Sequence, residues 1–316
     1  MKARLEAASN WDAPAITGTM NFGDMPGDKV TISDDATQKA GIIFRELRKE
    51  ILKLLEEKSN ERVVISVCGG SGVGKSSIAS LLTYYFQQLG IDSYTLSGDN
   101  YPRRIPIYND AERLRIFRNG GIHAMMDCGQ YTKERFEILH KLQIEGQDSN
   151  PEHTMQYPWL ASYQQGGREA LKGYLGTNLE QDFEEVEKII SEFKAGKETI
   201  WLKRMGREDT ELWYDEVAFA PAIILVIEWT HGNSDYFKGV DLPILLNSTP
   251  QETLSYRMAR SRDEGADSPF ITMVLEIEQE LLESQAKKAK IILSKQGELL
   301  DYDSYRKIMM EDKEEK

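Results

Sequence analysis

The chain has 316 residues and a formal net charge of −13 at pH 7. This acidic balance argues against nucleic acid as the main partner, because no strongly basic tract offsets it. The two cysteines, Cys68 and Cys128, predict no disulfide framework, and no apolar run approaches the length of a membrane span. Since the residues after Met1 lack a signal-peptide-like apolar stretch, we expect a cytoplasmic protein without a membrane partner.

The first 60 residues predict an N-terminal extension that ends in a helix. Residues 1–35 are rich in Gly, Asp, Ser, Thr and Pro without a sustained period, which predicts irregular structure. Asp34 or Asp35 could cap a helix in which apolar residues recur at helical spacing. The apolar stripe of this helix comprises Ile42, Ile43, Leu47, Ile51 and Leu54. The stripe either packs on the chain's own core or forms a surface for a partner.

The apolar run at residues 63–68 leads directly into a Gly-x-x-x-x-Gly-Lys-Ser motif at residues 69–76. The glycines let the backbone curl so that successive N–H groups point at phosphate oxygens. We expect Lys75 to reach the β- and γ-phosphates, the Ser76 hydroxyl to bind Mg²⁺, and the next helix to face the triphosphate with its positive N-terminus. The motif therefore predicts that a nucleoside triphosphate is bound by Gly69, Gly70, Ser71, Gly72, Val73, Gly74, Lys75, Ser76 and Ser77.

Apolar strands alternate with helices along much of the chain. The pattern predicts strands at 62–68, 91–97, 222–228, 242–246 and 290–294, and helices at 75–88, 250–261 and 270–287. This alternation is typical of an α/β fold, here a P-loop NTPase domain at 61–316 whose mostly parallel sheet has helices on both faces. A largely helical insertion at 103–180 could cap the site or form an interface. Within it we predict helices at 111–117 and 133–141, a further helix at 179–193 near its end, and a loop at 164–168, where paired glycines interrupt the pattern.

Two acids follow buried strands at the edge of the sheet where phosphates are expected. Asp99 comes after the second strand, and Glu228 ends the strand that begins at 222. Ligands of open α/β sheets bind at the carboxyl ends of the strands. Asp99 could accept the proton of an attacking hydroxyl, bind Mg²⁺ or do both, or it could stabilise its own turn. Glu228 is expected to be a second Mg²⁺ carboxylate, or else an exposed acid after the strand.

Basic residues form two candidate sets. Arg257, Arg260 and Arg262 could close over the triphosphate and stabilise the moving phosphoryl group, or they could form a solvated helix face. The second set could hold an anionic acceptor, or it could make surface ion pairs. Its members are Arg103, Arg104, Lys203 and Arg204, with Tyr101 and His231 as further candidate substrate residues.

Together these motifs resemble the uridine kinase/phosphoribulokinase family of P-loop kinases over about 60–101 and 180–295. The likeness is carried by residues 69–76, 96–101, 227–228 and 257–263. The resemblance implies ATP- and Mg²⁺-dependent phosphorylation of a hydroxyl on a small metabolite. It also implies that Asp99 is the base, that Glu228 and Ser76 hold Mg²⁺, and that the arginines form a lid. Trp229 stands where the family has a glycine, so we expect its indole to crowd the acceptor site.

We therefore predict a small-molecule kinase whose acceptor is a nucleoside, a sugar phosphate or a hydroxy acid. The alternative is a P-loop ATPase or a nucleotide-binding regulatory protein without a small-molecule acceptor. A GTPase would carry an Asn-Lys-x-Asp motif that reads the base, and the chain lacks one. An ATPase turns over without an acceptor, whereas a kinase hydrolyses ATP slowly until its acceptor closes the site. A homodimer is left open by the sequence.

Overall fold

The computed structural model describes residues 1–9, 11–16, 20, 22–27, 30–57, 61–259 and 268–314. Contacts along the chain divide it into two compact units. The first unit comprises Met1–Tyr101, Phe183–Thr249 and Leu282–Lys316, and the second comprises Pro102–Asp182 and Pro250–Leu281. The whole of the predicted insertion at 103–180, together with the later stretch Pro250–Leu281, therefore belongs to the second unit. Across the described ranges, no helix is both long and apolar enough to cross a membrane.

A six-stranded sheet forms the centre of the first unit. Its strands are β1 (Val63–Gly69), β2 (Ser93–Ser97), β5 (Ile224–Glu228), β6 (Leu242–Leu246), β7 (Ile291–Leu293) and β8 (Leu299–Leu300). They lie in the order β2-β5-β1-β6-β7-β8, and every neighbouring pair is parallel except β7 and β8. The apolar strands β1 and β5 are buried along their whole length, as expected for parallel strands covered on both faces. The predicted α/β fold with a mostly parallel sheet is confirmed.

Helices cover both faces of this sheet. The first unit contains α1 (Lys2–Ala7), α2 (Asp34–Glu57), α3 (Lys75–Gln88), α7 (Phe183–Lys194) and α10 (Tyr302–Glu314), with an antiparallel hairpin of β3 (Thr199–Met205) and β4 (Leu212–Ala218). Alternate residues of β1 point to opposite faces. Ile65 joins an apolar cluster with residues of α2 and α3, and Val64 joins another with residues of α7.

The amphipathic helix α2 packs on the chain's own core. Ile43, Leu47 and Ile51 are fully buried in the cluster that includes β1 and α3, so these three residues do not form a surface for a partner. The predicted cap differs from the one observed. The Ser33 hydroxyl accepts a hydrogen bond from the Ala36 backbone N–H, so Ser33 caps the helix and the two acids that follow lie in its first turn.

The second unit is helical. It contains α4 (Pro106–Asp127), α5 (Lys133–Ile144), α6 (Leu160–Lys172), α8 (Pro250–Ala259) and the first thirteen residues of α9 (Pro269–Gln285). Its apolar cluster draws on α4, α5, α6 and α9, with Phe117, Leu139, Tyr163 and Ile277 among its buried members. The predicted helices at 111–117 and 133–141 fall within α4 and α5, so the prediction of helical structure there is confirmed.

The predicted loop at 164–168 is wrong, because α6 runs through it without interruption. The glycine pair lies in the helix where α6 packs against α4. A Cβ atom added to Gly166 would lie 2.8 Å from the backbone oxygen of Gly120, and one added to Gly167 would lie 2.7 Å from that of Phe117. These glycines therefore permit a close contact between two helices, which outweighs their low helix propensity.

Candidate active site

The motif at residues 69–76 forms a tight loop between β1 and α3. Gly69 has a φ of 153°, and a Cβ there would lie 2.6 Å from the backbone oxygen of Leu246, so the loop requires glycine at this position. Gly74 precedes α3 in the left-handed conformation with a φ of 94°. The Lys75 ammonium donates to the Gly70 backbone oxygen at 3.1 Å, which places the cation over the loop. This loop, with a helix N-terminus and a cation, fits a phosphate chain.

Glu228 lies at the end of β5, between β1 and β2. Its backbone pairs with Val67 on one side and with Ser97 on the other. The Ser76 hydroxyl donates to Glu228 Oε2 at 3.1 Å, and the Ser97 hydroxyl donates to Oε1 at 2.6 Å. The carboxyl is 3% exposed, and burial, with Asp99 as the next contribution, raises its pKa to about 8. The parallel register thus brings Glu228 to the Ser76 hydroxyl of the phosphate-binding loop.

These oxygens fit a magnesium ion that is shared with phosphates. Mg²⁺ prefers oxygen ligands and commonly binds one or two carboxylates together with substrate phosphates. The described residues contain no cluster of three or more His, Cys, Asp or Glu that could hold a metal by themselves. The Ser76 hydroxyl and the Glu228 carboxylate would therefore hold the ion from the protein side, with Asp99 close enough to affect the pKa of Glu228.

Asp99 lies in a short 3₁₀ turn, Gly98–Asn100, that directly follows β2. Its side chain is exposed, as a group that meets an incoming substrate must be. Beneath the turn lies Trp229, which is 1% exposed and packs against the rings of Phe183 and Phe237. A Cβ added to Gly98 would lie 2.0 Å from Trp229 Cγ, so the indole packs directly on the turn. The indole that was expected to crowd the acceptor site is instead part of the core that supports Asp99.

A buried acid from the N-terminal segment, Asp24, contacts the same turn. Its Oδ1 accepts from the Ser97 backbone N–H at 2.6 Å, and its Oδ2 accepts from the Tyr94 hydroxyl at 3.0 Å. Arg204 on β3 forms an ion pair with Asp24 at 2.9 Å, and each of these two side chains is 8% exposed. Burial raises the pKa of Asp24, and the neighbouring guanidinium opposes that rise. Arg204 also donates to Asp215 at 3.1 Å and to the Tyr94 hydroxyl at 3.1 Å.

The other predicted substrate residues are distributed over both units. In the first unit, Tyr101, Lys203 and His231 are buried, and the His231 ring lies edge-on to Phe183 and Trp229. In the second unit, the guanidinium groups donate to neighbours within that unit: Arg103 to the Asn178 carbonyl, Arg104 to the Tyr174 hydroxyl, and Arg257 to the Pro250 carbonyl. Arg260 and Arg262 lie outside the described residues. The triphosphate-binding and catalytic roles of Arg257, Arg260 and Arg262, and the acceptor-binding roles of the other predicted residues, stay predictions.

The sequence predicts that Lys75, Ser76, Asp99 and Glu228 lie at one edge of the sheet. The structure places all four there, in the first unit. Sequence reasoning missed Ser97, whose hydroxyl holds Glu228, and Asp24. Ser97 could have been found from its position as the last residue of β2 beside Glu228. Asp24 lies in an irregular segment, and no periodicity or motif marks it.

One named relative aligns with most of this chain. It is the bifunctional α-galactosidase/sucrose kinase AgaSK of Mediterraneibacter gnavus, which is 38% identical over 255 residues, or 81% of this chain. In this chain the phosphate-binding loop follows β1, within the strand order β2-β5-β1. This chain has a P-loop kinase fold. The resemblance to P-loop kinases is thereby confirmed, while the chain spans 22% of the relative's own length.

Solved structures also align with this chain. The D-glycerate 3-kinase from Cryptococcus neoformans gives a TM-score of 0.47 at 10% identity, covering 85% of this chain and 98% of that chain. A possible uridine kinase from Bacillus stearothermophilus gives 0.37 at 17% identity, covering 78% of this chain and 98% of that chain. No family model matches the chain.

The raised pKa of Glu228 predicts how the stability of the ligand-free protein depends on pH. The folded state holds a proton on this carboxyl up to about pH 8, whereas an ordinary glutamate loses it near 4.5. The favourable contribution is therefore complete below pH 4.5 and is lost as the pH rises through about 8. Each tenfold difference in proton affinity corresponds to about 1.4 kcal/mol, so we expect a loss of a few kcal/mol at most.

Thermal unfolding of the wild type and of Glu228→Gln, measured between pH 5 and 9 (about the range in which the carboxyl titrates), checks this. Since the amide does not ionise, the Tm of the wild type should fall relative to that of the variant as the pH rises. A difference between the two proteins that is constant across this range would show that Glu228 is already ionised at the lower end.

Proposed function

We propose that this protein transfers the γ-phosphoryl group of Mg-ATP to a hydroxyl group of a small acceptor molecule. The observation that carries the proposal is the position of Glu228. It is hydrogen-bonded to Ser76 of the phosphate-binding loop and to Ser97, just before the turn that bears Asp99. Phosphoryl transfer needs little covalent chemistry from the protein, because positioning and charge neutralisation lower its barrier. These residues supply both.

Each residue has a role that follows from its place in the site. The backbone N–H groups of residues 69–76 and the Lys75 cation bind the phosphate chain and hold the γ-phosphoryl group in line for attack. Ser76 and Glu228 hold Mg²⁺, which supplies positive charge against the phosphate oxygens when bound. Asp99, the exposed residue of the turn, accepts the proton of the acceptor hydroxyl as the oxygen attacks. The seryl donors on Glu228 orient its two oxygens.

For the acceptor we propose a neutral saccharide. The relative from Mediterraneibacter gnavus carries a sucrose kinase in its name, and it aligns with 81% of this chain. The ion pairs of Arg204 favour a neutral acceptor over an anionic one, because its guanidinium is paired with both Asp24 and Asp215. A guanidinium that already faces two carboxylates has few donors left for the phosphate or carboxylate of a substrate.

The test is ADP production from Mg-ATP with a panel of acceptors: sucrose and other neutral saccharides, nucleosides, sugar phosphates and glycerate. We expect strong stimulation by a saccharide and slow hydrolysis without an acceptor. Lys75→Ala should abolish that stimulation because the phosphate chain loses its cation, whereas Lys49→Ala, at an exposed residue of α2 that pairs with Glu46, should not change it. Stimulation confined to anionic acceptors would refute the saccharide assignment. Hydrolysis that is indifferent to every acceptor would refute the kinase and favour an ATPase.

A further inference from the structure

The side chain of Asp24, in the N-terminal segment, is buried beside the end of β2. The described residues 22–27 around Asp24 form no helix or strand, yet its carboxylate has partners on two other elements. It accepts from Ser97 and Tyr94 on β2, and it pairs with Arg204 on β3. The Asp24 carboxylate therefore links the end of β2 to β3 of the hairpin.

Asp24 contacts both sides of the turn that carries Asp99. On one side it accepts from the Ser97 backbone N–H at 2.6 Å, and on the other it accepts from the Asn100 side-chain amide at 3.2 Å. The Asn100 oxygen in turn accepts from the Met205 backbone N–H at 3.0 Å, which links the turn to β3. Asp99 is the exposed residue between these two fixed neighbours.

We propose that Asp24 is a positioning residue for phosphoryl transfer, acting by holding the Gly98–Asn100 turn so that the Asp99 carboxylate meets the acceptor hydroxyl. This inference rests on the proposed function. It gives Asp24 a role in positioning Asp99, although Asp24 itself contributes no group to the reacting atoms. Misplacement of a catalytic group by about 1 Å can cost on the order of 100-fold in rate, so an anchor of this kind is sufficient to control turnover.

The first test measures the turn itself, without reference to activity. In Asp24→Asn the amide keeps one acceptor oxygen but loses the charge that faces Arg204. Its NH₂ group would also face groups that themselves donate to Asp24 in the wild type. We expect faster hydrogen exchange at residues 97–101 than in the wild type, with exchange in α3 unchanged. Asp12→Asn is the matched control, because Asp12 lies in the same N-terminal segment with a side chain that is 96% exposed. Unchanged exchange at 97–101 in Asp24→Asn would overturn the proposal.

The second test measures transfer with the best acceptor from the panel. Asp24→Asn should lower kcat by about 10- to 100-fold, while the KM for ATP stays close to that of the wild type, since Ser76 still holds Glu228. In an Asp99→Asn background the same change should lower the residual rate by less than about twofold, because the group that Asp24 positions is already gone. Additive losses would overturn the proposal, since they indicate an effect on general structure.

If Asp24→Asn does not fold, Tyr94→Phe serves in its place. It removes one donor to Asp24 and one acceptor from Arg204, and it keeps the ring in place. The same pattern is expected with a smaller loss, and a wild-type kcat together with faster exchange in the turn would overturn the proposal. A wild type that transfers to no acceptor refutes the proposed function instead, and the exchange measurement distinguishes that outcome from failure of the anchor.

Discussion

Asp99→Asn should lower kcat by about 10²- to 10⁴-fold, the range over which a positioned general base contributes. The amide cannot accept a proton from the attacking hydroxyl, but it matches the carboxylate in size and preserves the turn. Nucleotide affinity should change little, because the phosphate-binding loop belongs to β1 and α3, whereas Asp99 follows β2. The measurement is kcat with the stimulating acceptor, together with the Kd for Mg-ATP by titration calorimetry.

The matched control is Asp92→Asn. Asp92 directly precedes the opposite end of β2 and is also exposed, so the same change of charge is made away from the site. Its kcat should equal that of the wild type. If Asp99→Asn retained near-normal turnover, its role as base would be excluded, and an equal loss in both variants would indicate a general effect of charge on the fold.

The centre of the first unit could be predicted from the sequence because its signals are local. A buried parallel strand is an unbroken apolar run, and the glycines and lysine of the loop follow it directly, so β1 and α3 are found together. Glu228 follows from the same logic: an acid at the end of a fully apolar strand lies at the phosphate edge of the sheet. These inferences need no knowledge of long-range contacts.

Asp24 shows where such reasoning ends. Its partners Ser97 and Arg204 lie 73 and 180 positions further along the chain, and nothing in the Gly- and Asp-rich text around it indicates that its carboxylate is buried. Arg204 illustrates the same limit, because the sequence leaves open whether it binds an anionic acceptor or makes ion pairs, and the structure pairs it with two acids of its own chain. The sequence shows whether a side chain is positively or negatively charged, but it does not show which residue that side chain pairs with.

The glycine pair of α6 shows the opposite error, in which a strong local signal is overridden by packing. Adjacent glycines ordinarily interrupt a helix, since each costs about 1 kcal/mol relative to alanine. Here they allow α6 and α4 to approach so closely that the backbone of one helix nearly touches that of the other. The favourable contacts made at this distance are not visible in the text of either helix alone, because each glycine is explained by a residue more than 40 positions away.

This contact leads to the largest stability effect that we expect. In Gly120→Ala the new Cβ would lie 2.4 Å from the Cβ of Ala170 and 2.8 Å from the backbone oxygen of Gly166. A backbone atom cannot rotate away as a side chain can, so the two helices must separate and lose contacts along their interface. Against a gain of about 1 kcal/mol from helix propensity, we expect a net loss of about 2 kcal/mol or more. Chemical denaturation followed by far-UV circular dichroism measures it.

Gly173→Ala provides the control within the same unit. Gly173 directly follows α6 with a φ of −75°. Among the described residues, a Cβ there would meet the Ala170 backbone oxygen at 3.4 Å and that of Glu169 at 3.9 Å. The change should be neutral or stabilising by up to about 1 kcal/mol, because alanine restricts the unfolded chain without strain in the folded one. If both substitutions stabilised the protein, the helices would not approach as closely as described. Changes of opposite sign in the free energy of unfolding would show that the effect of an added methyl group depends on its distance from the neighbouring helix. They would also show that α4 and α6 can pack this closely because their glycines lack side chains.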